Sequence, residues 1–196
     1  MPGKQYAYTS MTAAAGLKAY AELQKKMGMK SEKYFEASKR ITKGIKNNLM
    51  VGEKYLKGNA EGKVNSEYEF YDTGIIEAFG LGVLADKKLF DSNMNEYDKK
   101  NRIAPDRGFS RVNGVDSYDV NEWIMIDLRT SSSYSKFGEK EKAKSLIDWV
   151  TAQANYNFNL ISELYDINKA TYDGAVPMVG FGAGAYIKTL NDYYHK

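Results

Sequence analysis

The residues in this sequence that are best suited to chemistry are carboxylates next to aromatic residues. Glu163 and Asp166 flank Tyr165, and Asp116 lies two residues before Tyr118. Glycoside hydrolysis needs one carboxylic acid to protonate the leaving oxygen and a second carboxylate to activate a water molecule. Aromatic rings beside such carboxylates can stack on the faces of sugars. The pattern permits a carbohydrate enzyme without establishing one.

Other catalytic chemistries lack the residues that they need. The absence of cysteine excludes a thiolate nucleophile, a disulfide framework and a cysteine zinc site. The single histidine, His195, lies in the C-terminal tail and gives poor support for a covalent triad. Residues 91–95 lack the glycine and glutamate of a calcium loop, and residues 180–184 lack the Lys-Ser/Thr pair of a phosphate loop. We therefore expect no metal and no cofactor.

Composition predicts one domain that covers residues 1–196. With 43% hydrophobic and 27% charged residues, the chain can form a sizeable core. No run approaches the roughly 18 apolar residues of a membrane span, and the first residues do not resemble a secretory signal. We expect a soluble protein and favour the cytoplasm for the chain as given, although compartment is not fixed by composition. Its 28 basic and 25 acidic residues are mixed along the sequence, which argues against nucleic-acid binding.

Apolar periodicity predicts helices as the elements that position these residues. Gly28 and Gly138 separate pairs of predicted helices, which makes each pair an antiparallel hairpin. Ser31 is the expected N-cap of the second helix. The predicted helices cover residues 9–27, 31–49, 119–137, 139–154 and a final stretch through Tyr186, Ile187 and Leu190.

Two segments between the hairpins are harder to assign. Residues 72–85 are apolar almost all round and predict a buried helix, with a short edge strand as the competing interpretation. Residues 86–119 are rich in Asn, Asp, Arg and Gly and predict a long loop over a site. With about six helices in three hairpins and no clear strand periodicity, the fold class is all-α, in the rhythm of a toroid of helical hairpins.

One segment resembles a known family of glycosidases. The stretch Ile161-Ser-Glu163-Leu-Tyr165-Asp166, followed by Tyr172-Asp-Gly174-Ala-Val-Pro177 and an apolar helix, is similar to the segment that holds the catalytic base in glucoamylases, glycoside hydrolase family fifteen. The resemblance implies that Glu163 is the general base of an inverting hydrolysis of α-glucosides. Tyr165 is expected to contact the substrate.

A second segment extends the resemblance. Phe109-Ser-Arg111, then Asp116, Tyr118 and Trp123 before a helix, is similar to the family's Arg-Tyr-x-x-Asp-x-Tyr segment and its following Trp. The resemblance implies that Arg111, Asp116 and Trp123 bind the sugar, and a guanidinium with a carboxylate suits vicinal hydroxyls. The spacing from Arg111 to Asp116 is one residue longer than in the family.

The resemblance implies about half of an (α/α)6 barrel. The family's general acid lies in a Trp-Glu-Glu motif just before the helix that residues 9–27 resemble, and this chain has no Asp or Glu before Glu22. We expect an oligosaccharide or α-glucoside ligand, and self-association or pairing with an N-terminal half. The alternatives are a non-catalytic carbohydrate-binding or interaction module with the same fold, and a helical scaffold without a sugar site.

Overall fold

Two helical hairpins and a set of single helices form the architecture, and the computed structural model describes residues 3–63, 70–112, 118–168 and 180–195. Two of the three predicted hairpins are confirmed. The first consists of α1 (Ala7–Lys26) and α2 (Glu32–Leu49), and the second of α5 (Ile124–Lys136) and α6 (Lys140–Tyr156). The turns between them use Gly28 and Gly138, which have φ of 70° and 79°, a backbone conformation that favours glycine.

Short paired strands connect the helices. Strands β1 (Met50–Val51) and β2 (Tyr55–Leu56) form an antiparallel pair directly after α2. Strands β3 (Glu122–Trp123) and β4 (Leu164–Tyr165) form a second pair, in which Trp123 lies opposite Leu164. The second pair joins the segment before α5 to the segment that contains Glu163.

The predicted helix over residues 72–85 is wrong in length. The chain forms a 3-10 turn at Thr73–Ile76 and a single α-helical turn, α3, at Glu77–Gly80. A Cβ at Gly80 would lie 2.9 Å from Ser133 Oγ of α5, so this glycine permits close packing of α3 against α5. The apolar residues of this segment are buried as predicted, since Ile75, Ile76 and Phe79 are at most 1% exposed.

The predicted long loop over residues 86–119 is also wrong in part, because Lys87–Lys100 forms helix α4. Asp86 caps it by accepting a hydrogen bond from the Leu89 amide at 3.0 Å. One face of α4 is fully or almost fully buried despite its polar composition. Asn93 on this face is 0% exposed, accepts from Leu56 N at 2.9 Å and donates to Leu89 O at 2.7 Å. Within the remainder of the predicted loop, residues 101–112 form turns and isolated bridges, and residues 113–117 lie outside the described residues.

Helix α5 is the central element of the described structure. It packs against α3, α6 and α7 (Phe181–His195). Its small hydroxyl side chains allow this close approach and satisfy neighbouring carbonyls: Ser131 Oγ donates to Ala143 O at 2.9 Å, and Ser133 Oγ donates to Ile76 O at 3.0 Å. Among the described helices, none combines the length and apolar character that a bilayer-spanning segment requires. The all-α prediction is confirmed.

Candidate active site

A cavity of about 450 Å³ opens where the N-terminal ends of α1, α5 and α7 meet. Segments distant in sequence contribute its walls, so the fold rather than any local motif creates it. Cavities of this size are typical of small-molecule sites. Its lining consists of Tyr6, Tyr8, Thr9, Asp72, Gly74, Arg111, Val112, Trp123, Met125, Ile126, Arg129 and Phe181.

Arg111, predicted to bind sugar, lies on the wall of this cavity. Its backbone carbonyl accepts from the Thr73 amide at 2.9 Å and from Thr73 Oγ1 at 2.8 Å, which fixes the segment in place. The guanidinium donates to Asp119 Oδ1 at 3.2 Å and lies 5.5 Å from the centre of the Trp123 ring. With 45% of its side chain exposed, Arg111 remains accessible to a ligand.

Trp123, the second predicted sugar-binding residue, lies beside Arg111 on the same wall. Its indole Nε1 is buried and has no hydrogen-bond acceptor among the residues that the structure describes. Because this nitrogen has almost no accessible surface, a ligand in the cavity would meet the ring of Trp123 and not its N–H. Tyr118 packs edge-on against the Trp123 ring, with 5.1 Å between ring centres.

Glu163 is joined to this wall through Tyr118. The Glu163 carbonyl accepts from the Ile124 amide at 3.2 Å, so pairing of β4 with β3 fixes its backbone. Desolvation and then the hydrogen bond with the Glu163 carboxylate raise the pKa of Tyr118 to about 12. Glu163 is partly exposed and not itself part of the described cavity lining. Tyr118 therefore lies between the predicted base, Glu163, and Trp123 on the cavity wall.

Of the remaining predicted positions, Tyr165 does not line the cavity, and the others lie outside the described residues. Tyr165 is 0% exposed and packs in a small core with Ile124, Leu128 and Val150. The structure thus places Tyr165 in a packing role and not on the cavity wall. Asp116, and the Tyr172-Asp-Gly174-Ala-Val-Pro177 motif, lie outside the described residues.

A charged cluster at the N-terminal end of α1 was not predicted from the sequence. Tyr8 Oη donates to Glu77 Oε2 at 3.1 Å, and Arg129 Nε approaches the same oxygen at 3.2 Å. The Arg129 guanidinium also lies 5.2 Å from the centre of the Tyr8 ring. Tyr8 and Arg129 line the cavity, so this cluster supplies a second cation and a phenol to it. Its members come from α1, α3 and α5, and no sequence spacing connects them.

Asp72 was also missed, although it lines the cavity and is only 8% exposed. It pairs with Val112 in an antiparallel bridge, next to Arg111. Asp72 Oδ1 accepts from the Gly74 amide at 2.9 Å and so caps the 3-10 turn. In the sequence this aspartate is indistinguishable from an ordinary N-cap.

A buried ionic network lies next to the cavity wall that contains Trp123. Glu122 is 0% exposed; it pairs with Arg107 at 2.7 Å and accepts from Trp149 Nε1 at 2.6 Å. Asp127 lies against it, and burial, followed by repulsion from Glu122, raises the pKa of the Asp127 carboxyl well above its ordinary value. A Cβ at Gly108 would lie 1.8 Å from Asp127 Oδ1, so only glycine fits there. The network fixes β3 and the start of α5, which carry Trp123.

This arrangement of helices is shared with proteins of known structure. No protein-family model matches the sequence, and neither does any curated protein sequence. Solved structures do match: a glycosidase superposes with a TM-score of 0.76 at 15% identity over 96% of this chain. A bacterial glucoamylase complexed with acarbose gives a TM-score of 0.76 at 16% identity over 97% of this chain. The chain has the fold of glucoamylase-type glycosidases.

More distant glycosidases share the fold as well. A family 63 mannosylglycerate hydrolase from Thermus thermophilus, in complex with glucose, gives a TM-score of 0.65 at 12% identity over 93% of this chain. This chain covers 52% of the first glycosidase, 34% of the glucoamylase and 46% of the mannosylglycerate hydrolase. The predicted fold, about half of a toroid of helical hairpins, is confirmed, and the activity of the longer proteins is a separate matter.

Proposed function

We propose that this chain forms one domain, the C-terminal part of a glycosidase barrel that acts on α-glucosides. The observation that carries the proposal is the cavity itself, in which the Arg111 guanidinium and the Trp123 indole ring lie side by side. Two solved structures with the same fold hold sugar ligands: a glycosidase in complex with glucose, and a bacterial glucoamylase complexed with acarbose. An aromatic face and charge-assisted donors are what a sugar ring with its hydroxyls requires.

Within this proposal Glu163 is the general base of an inverting reaction. Its carboxylate would take a proton from the attacking water, while Tyr118 orients it by a hydrogen bond. Inversion needs an acid on the opposite side of the scissile bond, far enough away to leave room for the water. We assign that acid to the N-terminal half of the barrel. Asp116 is proposed to hold a sugar hydroxyl beside Arg111, and Tyr165 to support the site by packing.

Pairing with the N-terminal half is supported by two exposed and largely apolar stripes. The α1 stripe consists of Ala13, Gly16, Tyr20, Leu23 and Met27, and the α7 stripe consists of Phe181, Gly184, Ile187, Asn191 and Tyr194. A Cβ at either glycine would meet nothing within 4 Å, so neither glycine is required by packing within the described structure. Glycine within a helix costs about 1 kcal/mol, and close approach of another helix would explain that cost.

A reconstitution assay tests the catalytic proposal. The chain is co-expressed with, or linked to, an N-terminal half that carries the Trp-Glu-Glu acid motif, and maltose hydrolysis is followed by proton NMR. We expect β-glucose as the first product, and Glu163→Gln to reduce kcat by about 10²–10⁴-fold. Glu36→Gln, on the exposed face of α2, is the matched control and should leave kcat unchanged. Hydrolysis that persists in Glu163→Gln would remove Glu163 from the reaction.

The second candidate is a non-catalytic sugar-binding module of the same fold. It is favoured by the position of Glu163, which is not part of the cavity's described lining, whereas Arg111 and Trp123 are. Binding of maltose with no turnover in the reconstituted barrel would establish this function and exclude the first.

A further inference from the structure

We infer that Asp72 is a sugar-binding carboxylate that acts together with Arg111 on two adjacent hydroxyls of the ligand. The inference deepens the proposed function and rests on it. Neither the sequence motifs nor the likeness to solved structures assigns a role to this residue.

The backbone holds Asp72 next to Arg111. Asp72 is bridged to Val112, and the following residue, Thr73, makes hydrogen bonds to the carbonyls of both Arg111 and Ser110 through its hydroxyl, each at 2.8 Å. The Thr73 amide adds a third bond to Arg111 O at 2.9 Å. Two chain segments that are 38 residues apart are thereby fixed side by side, and each contributes one charged side chain to the same cavity.

The orientation of the Asp72 carboxylate is also fixed. Oδ1 accepts from the Gly74 amide at 2.9 Å, and a Cβ at Gly74 would lie 2.9 Å from this oxygen and 3.3 Å from the Tyr8 ring. Glycine at position 74 therefore lets both Asp72 and Tyr8 approach the cavity wall. A carboxylate held in one orientation loses little conformational freedom when a ligand binds, which favours affinity.

The pair is chemically complementary to a vicinal diol. A carboxylate accepts hydrogen bonds from hydroxyl protons, and a guanidinium donates to hydroxyl oxygens; both are stronger than neutral hydrogen bonds. Capping the turn at Thr73–Ile76 needs only one acceptor oxygen, and asparagine or serine caps equally well. Asparagine at position 72 would therefore keep the cap and remove the negative charge that we propose meets a sugar hydroxyl.

The experiment is a calorimetric titration of methyl α-glucoside and its four monodeoxy analogues into wild type and Asp72→Asn. We expect Asp72→Asn to bind methyl α-glucoside at least about tenfold more weakly, with an unchanged Tm, because the cap is retained. For the analogue that lacks the hydroxyl bound by Asp72, wild type and variant should bind with equal affinity. Asp86→Asn, which changes the equivalent cap of α4 away from the cavity, is the control and should bind as wild type does.

Each result is decisive. If wild type binds the sugar and Asp72→Asn binds it equally well, Asp72 is only a cap and the inference fails while the proposed function stands. If Asp72→Asn is unfolded, Asp72→Ser is titrated in its place, since serine also caps the turn, and undiminished binding again overturns the inference. If wild type binds no member of the series, the sugar site itself is refuted together with this role.

Discussion

Asp127, which is paired with Glu122 next to the cavity wall, is the residue whose chemistry depends most on its surroundings. Asp127 is 0% exposed and its pKa is raised well above 3.8, first by burial and then by the Glu122 carboxylate. In the unfolded chain this proton is lost near the ordinary value. The native state therefore binds one more proton than the unfolded state above about pH 4, and stability falls as pH rises until the native group ionises.

We predict that Asp127→Asn removes this loss of stability. An amide at position 127 can still accept from the Phe109 amide, which is 2.8 Å from Asp127 Oδ1, but it has no proton to release. We expect urea denaturation between about pH 5 and about pH 7 to show that the free energy of unfolding of the variant rises relative to that of wild type. The rise should be up to about 1.4 kcal/mol per pH unit. Asp148→Asn is the control, because this side chain is 60% exposed on α6. Parallel profiles for wild type and Asp127→Asn would show that Asp127 is ionised in the native state.

The individual site residues differ in how far the sequence reveals them. Arg111 and Trp123 line the cavity, and they lie in a short motif that is visible along the chain, as does Glu163; the roles of all three stay predictions. The positions of Asp72, Glu77 and Arg129 could not be predicted, because the contacts that hold them join α1, α3, α5 and the segment around residue 111. Such contacts are set by helix packing and leave no local signal.

At the scale of elements, the same distinction separates the correct predictions from the wrong ones. The hairpins α1–α2 and α5–α6 were predicted because apolar periodicity and a glycine turn act locally. Helix α4 was missed because its buried face contains Asn93, whose amide is satisfied by Leu56 N and Leu89 O, and its polar composition resembles that of a loop. The helix predicted over residues 72–85 was too long because three glycines interrupt the apolar segment.

Helix α4 also gives a prediction about capping. Asp86→Ala removes the hydrogen bond from the Leu89 amide at 3.0 Å and should reduce the free energy of unfolding by about 1 kcal/mol. Ser31→Ala is the matched control on α2, where the serine occupies the N-cap position but its side chain makes no capping hydrogen bond. Thermal or urea denaturation of both variants measures the difference. Equal losses in the two variants would mean that the Asp86 cap contributes nothing specific.

At the scale of the whole molecule, the chain has two open edges. Helix α1 and helix α7 each carry an exposed apolar stripe, and the N-terminal ends of both helices border the cavity through Tyr8, Thr9 and Phe181. The match to about half of the first solved glycosidase agrees with this geometry. In our proposal, the N-terminal half completes the toroid and supplies the general acid, while the sugar-binding wall is already formed by this chain.

The central claim is that the cavity beside Arg111 binds a sugar, and this can be tested without the N-terminal half. Arg111→Ala removes a charge-assisted donor, worth about 1.5–3 kcal/mol, and should weaken binding by about tenfold or more. Arg40→Ala on the exposed face of α2 is the matched control and should not change binding.

The measurement is a calorimetric titration of acarbose into wild type, Arg111→Ala and Arg40→Ala. The account predicts saturable binding to wild type and Arg40→Ala, with at least about tenfold weaker binding to Arg111→Ala. Equal affinity for all three proteins, or no binding to any of them, would contradict it.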